Sequence, residues 1–174
     1  MVITADPTLH ERCNHFKGQG LAKHRTYWHD AIGYNYRMTN ICAAIGLAQM
    51  ERAQHLLDKK IALASKYDAL LADCGVETHR PARPDAHHSY WMYSVLVAEG
   101  SRDQVMDVMK DNAIETRPVF YPVHTMPMYA HHYARHRVAE EIARRGINLP
   151  SWPDMTDADV QRVADTLAKA VNRG

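Results

Sequence analysis

Two stretches gather the side chains that could do chemistry. Between Arg25 and Asn40 the chain packs Tyr27, Trp28, His29, Asp30, Tyr34, Asn35, Tyr36 and Arg37 into a run with no helical or strand period. Asparagine and arginine just ahead of a helix amino terminus are suited to gripping a phosphate. A lid over a core would have much the same composition. The second stretch, Thr116 to Tyr129, sets Pro118, Pro122 and Pro127 among Phe120, Tyr121 and Tyr129, around Arg117 and His124. Three prolines fix an irregular path, and rigid loops bearing polar groups often line sites. A stiff connector with a solvated histidine is the plainer alternative.

Other chemistries find less support. Twelve histidines raise the question of a metal. His132 and His136 share a helical face at i, i+4 with His131 beside them, but no third ligand or H-E-x-x-H base accompanies them. His87 and His88 point opposite ways if extended. No G-x-S-x-G, G-x-G-x-x-G or Walker loop is present, and Gly18-Gln19-Gly20 precedes a loop rather than a helix. Cys42, between Ile41 and Ala43, reads as a small core residue.

Charge and cysteines bound the class. Lys and Arg number 21 against 20 Asp and Glu, which argues against a nucleic-acid binder built on phosphate contacts. Basic residues cluster at Arg80 and Arg83, Arg135 and Arg137, and Arg144 and Arg145. Glu140 and Glu141 interrupt them, and a solvated helix face is expected. Cys13, Cys42 and Cys74 are odd in number and lack C-x-x-C, so a reducing compartment is expected. No signal peptide and no run of the ~20 apolar residues a membrane span needs is evident. A soluble, cytoplasmic protein is the expectation.

The elements that must position these residues follow from local patterns. Met1 to Thr4 reads as a short buried strand. Asp6-Pro7 supplies a cap and first-turn proline for a helix to Lys17, ended by Gly18 and Gly20. Thr39 or Asn40 caps a helical period that runs from Ile41 to Leu71 before Gly75 stops it. So long a period suits a kinked helix or one joining two domains. The change from small residues (Ala43, Ala44, Gly46, Ala48) to charged ones (Asp58, Lys59, Lys60) places a domain boundary near 51–56. Residues 1–53 and 54–174 are therefore expected to belong to different domains.

Beyond Gly75, Val76 to Thr78 reads as a strand, Pro81 and Pro84 mark a loop, and Ser89 to Ala98 is the clearest strand of the chain. Ser101 to Gln104 reads as a capping box opening a helix to Asn112. Ile114 to Arg117 is a strand ended by Pro118. Val138 to Arg145 is a helix closed by Gly146, and Ile147 to Leu149 a brief strand. Thr156 to Asp159 is a second capping box, leading an amphipathic helix through Val160, Val163, Leu167 and Val171. Strands and helices around one antiparallel or mixed sheet make residues 76–174 a two-layer α+β domain.

In order and spacing, several segments resemble the sugar aminotransferases of the DegT/StrS type. They are Gly18-Gln-Gly20-Leu21, Tyr27 to Asp30, Gly33 to Gln49, His88 to Trp91, Ile114 to Tyr129 and Arg145 to Pro150. The resemblance implies a fold type I aminotransferase, α/β to α+β. The strand and long helix would come from a large cofactor-binding domain with a seven-stranded sheet, and a small carboxyl domain would follow. It implies pyridoxal phosphate as cofactor, a homodimer with sites between subunits, and a role in O-antigen or polysaccharide sugar biosynthesis. The implied reaction takes GDP-4-keto-6-deoxymannose to GDP-perosamine with glutamate as amino donor; sister enzymes acting on other keto sugars share Tyr34 to Met38. By the same resemblance Asn35 would reach the cofactor phosphate of a partner subunit, with Arg37 nearby. Tyr121 and His124 would lie by the sugar nucleotide, Arg117 by its diphosphate, and Tyr27 and His29 by sugar or nucleotide.

The cofactor of such an enzyme is held by a lysine Schiff base. None of Lys17, Lys23, Lys59, Lys60, Lys66, Lys110 or Lys169 matches that family motif. The resemblance places the lysine, the carboxylate that pairs with the pyridine nitrogen and the stacking aromatic ahead of Met1. The expectation is a carboxyl half that carries out no amino transfer alone, no metal and no catalytic residue of its own. An amino-half partner would restore it. Two alternatives stand beside that one: a self-associating interaction module built on the Ala-rich helix, and a sugar-nucleotide binder using Arg117 to Tyr129 without chemistry.

Overall fold

Asp6 ends an extended entry and its carboxylate accepts from the amides of Thr8 and Leu9, at 2.8 and 3.2 Å, opening α1 (Pro7–Lys17). This is the cap that Asp6-Pro7 predicts. A computed structural model describes residues 2–79, 83 and 85–172, without the side chain of His132. The chain divides into two compact units, Met1–Arg52 and Ala53–Gly174.

In the first unit the chain turns back on α1 rather than continuing it. Gly18 pairs with Asn35 and Leu21 with His29 in isolated antiparallel bridges. The Tyr34 amide donates to Phe16, the Gln19 amide to Tyr34 and the Tyr36 amide to Lys17. Thr39 then caps α2 (Asn40–Glu51) through its hydroxyl, which accepts from the Cys42 amide. No residue of α2 is buried, and Ile41, Ile45, Leu47 and Met50 all lie exposed. Cys42 is exposed too, which corrects its reading as a core residue.

One further expectation changes here. Val2 to Thr4 form no strand among the described residues, and Val2 and Ile3 are exposed. A β-branched run becomes a strand only when it is paired, and Val2 to Thr4 enter no strand pairing among the described residues; Met1 lies outside them. The long helical period breaks within 51–56, where the change from small to charged residues places a boundary. At Arg52 the backbone takes φ −105°, ψ 0°, and α3 (Ala53–Leu71) starts afresh, although neither glycine nor proline marks the break.

The second unit is a two-layer α+β arrangement. Four strands run β1 (Glu77–Thr78), β2 (Tyr93–Leu96), β4 (Gly146–Leu149), β3 (Arg117–Pro118) in spatial order, every pair antiparallel. Between them come α4 (Arg102–Asp111) and α5 (Arg137–Arg145), and α6 (Asp157–Val171) closes the chain. β2 alternates buried and half-buried residues, so Tyr93 and Val95 face inward to the helices. They meet Leu63, Tyr67 and Leu71 of α3, Val105 and Met109 of α4, and Val160, Val163 and Leu167 of α6. Burying each large apolar side chain contributes about 1.5–3 kcal/mol.

Local signals set most of these boundaries, with three departures. Thr156 forms the capping box with Asp159 that opens α6. Ser101 forms none: it sits in helical backbone and its hydroxyl donates back to Ala98 at 2.9 Å. β2 is shorter than the run from Ser89 to Ala98, because Tyr90 takes φ +46° and interrupts the extended path. β3 starts later than Ile114 and includes Pro118, tolerated because β3 is an edge strand. The loop assigned to Pro81 and Pro84, with Arg80, lies outside the described residues.

Candidate functional site

The loop that carries Tyr27, His29, Asn35 and Arg37 is held at its base by two glycines. A β-carbon on Gly20 would stand 2.1 Å from the Ala31 carbonyl oxygen, and one on Gly33 would stand 2.2 Å from the Gly20 nitrogen. Gly20 also takes φ +67°, which favours glycine. Inside the loop His29 Nδ1 donates to the Gln19 carbonyl at 2.8 Å, leaving Nε2 outward. His15 Nε2 meets Asp30 at 2.8 Å. Tyr34 and Tyr36 stack at 5.1 Å, and Arg25 lies over Trp28 at 4.3 Å. Tyr27, at φ +58°, is 91% exposed.

Asn35 and Arg37 lie one residue apart, two residues and more before the cap of α2, both exposed. Neither side chain has a hydrogen bond or ion pair with a described residue. An amide, a guanidinium and the amino end of a helix form a donor set without a competing carboxylate. That set fits a phosphate.

In the second unit Tyr121 and His124 share the proline-rich segment after β3. Tyr121 lies under the Arg102 guanidinium, 5.8 Å from ring centroid to Cζ. Arg102 is held there by the Ala143 carbonyl at 2.7 Å and by Asp103. Beside them is a cavity of about 420 Å³ bordered by Tyr121, Thr125, Glu140 and Arg144. His124 sits in a 3-10 turn (Val123–Thr125), its Nε2 3.2 Å from Glu140. Phe120 lies instead against Trp91, 6.4 Å between ring centroids, and borders a different cavity with Ser94, Leu96 and Asn148. Arg117 is not with Tyr121: it pairs with Glu115 at 2.9 Å and borders a separate cavity with Asn148 and Arg162.

Pattern reading missed Glu140, which it took only as a charge interrupting basic residues. Its carboxylate accepts from the Tyr133 hydroxyl at 2.8 Å, the His136 amide at 3.0 Å and His124. These bonds hold its pKa down at about 2. Arg145 is likewise no solvated cation. Its guanidinium, 15% exposed, donates to the Val97 carbonyl at 2.8 Å, to Glu141 and to Glu77, clasping β1, the end of β2 and α5 together. The spacing of Glu140 four residues after His136 was the available signal.

The lysines are occupied or solvated. Lys23 pairs with Glu11, Lys59 with Asp154 and Lys66 with Asp157. Lys17, Lys110 and Lys169 are exposed. Lys60 alone has its pKa lowered, by desolvation. Its ammonium donates to the Trp91 carbonyl at 3.2 Å, the Ser151 hydroxyl at 3.0 Å and the Ser151 carbonyl, which ties α3 to the segments after Tyr90 and Pro150. Three acceptors saturate an ammonium. Among the described residues no group of three or more His, Cys, Asp or Glu is placed to hold a metal.

The pattern of the DegT/DnrJ/EryC1/StrS aminotransferase family matches residues 1–168. The chain belongs to that family. Family members depend on pyridoxal phosphate. GDP-perosamine synthase of Escherichia coli O157:H7 is 51% identical over 168 residues, 96% of this chain and 46% of the relative. The enzyme of that name from Vibrio cholerae is 38% identical over 177 residues, 99% of this chain and 48% of its own length. The chain thus spans about half the length of the curated relatives it matches. Among solved structures, the aminotransferase TlmJ of Streptoalloteichus hindustanus superposes with a TM-score of 0.88 at 24% identity, over 97% of this chain and 46% of that one. DesV of S. venezuelae gives 0.82 at 26% identity, over 99% and 46%. The fold matches about half of these aminotransferase structures, and no described helix is long and apolar enough to cross a membrane.

Proposed function

We propose that this chain forms part of a pyridoxal-phosphate-dependent aminotransferase that converts GDP-4-keto-6-deoxymannose to GDP-perosamine, with glutamate as amino donor. The observation that carries the reading is the 51% identity to an enzyme named for that product. In this reading the first unit belongs to a large cofactor-binding domain and the second is the small carboxyl domain.

Asn35 and Arg37 hold the cofactor phosphate of a partner subunit. Their free donors and the adjacent start of α2 support that role. When bound, pyridoxal phosphate supplies the electron sink for amino transfer. Tyr121 and His124 bind the sugar nucleotide beside the cavity under Arg102, Arg117 serves the diphosphate, and Tyr27 and His29 serve sugar or nucleotide. No lysine of the chain is free and desolvated, the state a covalent anchor requires. On this reading residues 1–174 carry out no amino transfer by themselves, and the anchoring amine comes from outside them.

The test is complementation. The purified chain is incubated with cofactor, glutamate and the keto-sugar nucleotide, with and without a polypeptide comprising the other half of the E. coli relative. Product only in the mixture supports the reading. Product from the chain alone, or from neither, contradicts it.

A second reading rests on a separate observation, the complete exposure of apolar α2. Exposed apolar surface of this kind drives association. Self-association through α2 serves a homodimer of the enzyme equally well as a non-catalytic module.

A further inference from the structure

The geometry points to Glu140 as a positioning residue for His124, fixing its ring through Nε2 so that Nδ1 is offered as an acceptor to a hydroxyl of the bound sugar. This rests on the reading of His124 as a substrate contact and adds what orients it.

One carboxylate oxygen of Glu140 receives three hydrogen bonds. They come from His124 Nε2 at 3.2 Å, the Tyr133 hydroxyl at 2.8 Å and the His136 amide at 3.0 Å. Two of these donors lie on the irregular segment after β3 and the third caps α5. A single acceptor thus ties that segment to the helix, so the ring's position is set by regular structure. The His124 ring has little freedom: its side chain is 19% exposed and it packs edge-on against His136 at 4.7 Å.

The proton on His124 follows from the chemistry of its partner. The three bonds hold Glu140 far below the usual carboxylate range, so it is ionised and can only accept. Nε2 must then carry hydrogen, and in the neutral ring Nδ1 is left with its lone pair. Nδ1 has no hydrogen bond with a described residue. A sugar hydroxyl is a donor suited to it. The Tyr133 hydroxyl and the His136 amide already tie the segment to Glu140, so a Glu140 that merely stapled the loop would not need the His124 ring.

Long-range proton–nitrogen spectra of the ¹⁵N-labelled chain read the tautomer without ligand. Wild type is expected to show His124 protonated at Nε2 alone. Glu140→Ala is expected to give a mixture of tautomers, and Glu140→Gln, which keeps the acceptor oxygen, to stay near wild type. A wild-type ring protonated at Nδ1 overturns the proposal even if Glu140→Ala fails to fold, and so does an unchanged tautomer in a folded Glu140→Ala. Calorimetry with GDP-mannose reads the ligand side. The expected result is about tenfold weaker binding by Glu140→Ala, with Glu140→Gln close to wild type; equal binding by both overturns the positioning role. If wild type and His124→Ala bind GDP-mannose alike, the substrate reading of His124 falls, whatever the tautomer.

Discussion

Gly33 is packed directly on Gly20, so closely that a β-carbon on Gly33 would stand 2.2 Å from the Gly20 nitrogen and 2.3 Å from the Gln19 carbonyl carbon. This backbone contact closes the base of the loop that presents Asn35 and Arg37. The contacting atoms are main chain on both sides, so no side-chain rotation can relieve an added methyl. Gly33→Ala is therefore expected to open the bridges between Gly18 and Asn35 and between Leu21 and His29. Hydrogen exchange checks this: protection at the Gln19, Tyr34 and Tyr36 amides is lost, while the strand amides of β2 and β4 keep theirs. Full retention in the first unit would contradict the account.

Glu140 gives the fold an acid-sensitive joint. Its carboxyl titrates near 2 rather than at its ordinary 4.5, with the Tyr133, His136 and His124 bonds as causes in that order. A depressed pKa adds stability above the unfolded value, and that stability drains away as pH falls through the folded value. The groups facing it are His124, Tyr133 and His136, with Arg135 near the Tyr133 hydroxyl. Between pH 4.5 and about 2, denaturant midpoints should fall more steeply for wild type than for Glu140→Gln. Parallel profiles would contradict the role.

Helix α2 should make the chain self-associate. Ile41, Ile45 and Met50 are 74, 62 and 72% exposed, on a helix with no charged residue before Glu51. Replacing Ile45 with Glu places a charge in any apolar contact along that helix, at a cost of several kcal/mol if it is buried unpaired. Sedimentation is expected to show a dimer or larger species for wild type and a shift to monomer for Ile45→Glu. A wild-type monomer at micromolar concentration would contradict this.

What was legible in the sequence was local. Asp6-Pro7 and Thr156 to Asp159 announce their helices because cap and helix are neighbours in the chain. The inward face of β2 and the stripe of α6 follow from period alone. The break at Arg52 carries no glycine or proline, and only the change from small to charged residues near 51–56 marked it. Ser101 misled because its hydroxyl found the Ala98 carbonyl instead of the helix end. The clasp made by Arg145 and the pairing of Glu140 with His124 were hidden for another reason: these partners are distant. Arg145 reaches Glu77 across 68 positions and Glu140 reaches His124 across 16. The stretches around Asn35 and Tyr121 stood out by composition, but nothing in their spacing revealed that Arg117 and Tyr121 border different cavities.

As proposed above, residues 1–174 bring donors and substrate contacts to an aminotransferase site, and the amine that anchors the cofactor is none of their seven lysines. The most direct measurement treats the purified chain with pyridoxal phosphate, reduces it with borohydride and maps the modified lysines by mass spectrometry. The account predicts only weak, scattered labelling of exposed lysines, with Lys60 unmodified because Trp91 and Ser151 hold its ammonium. One lysine labelled stoichiometrically, in a chain that also aminates a keto-sugar nucleotide, would contradict it.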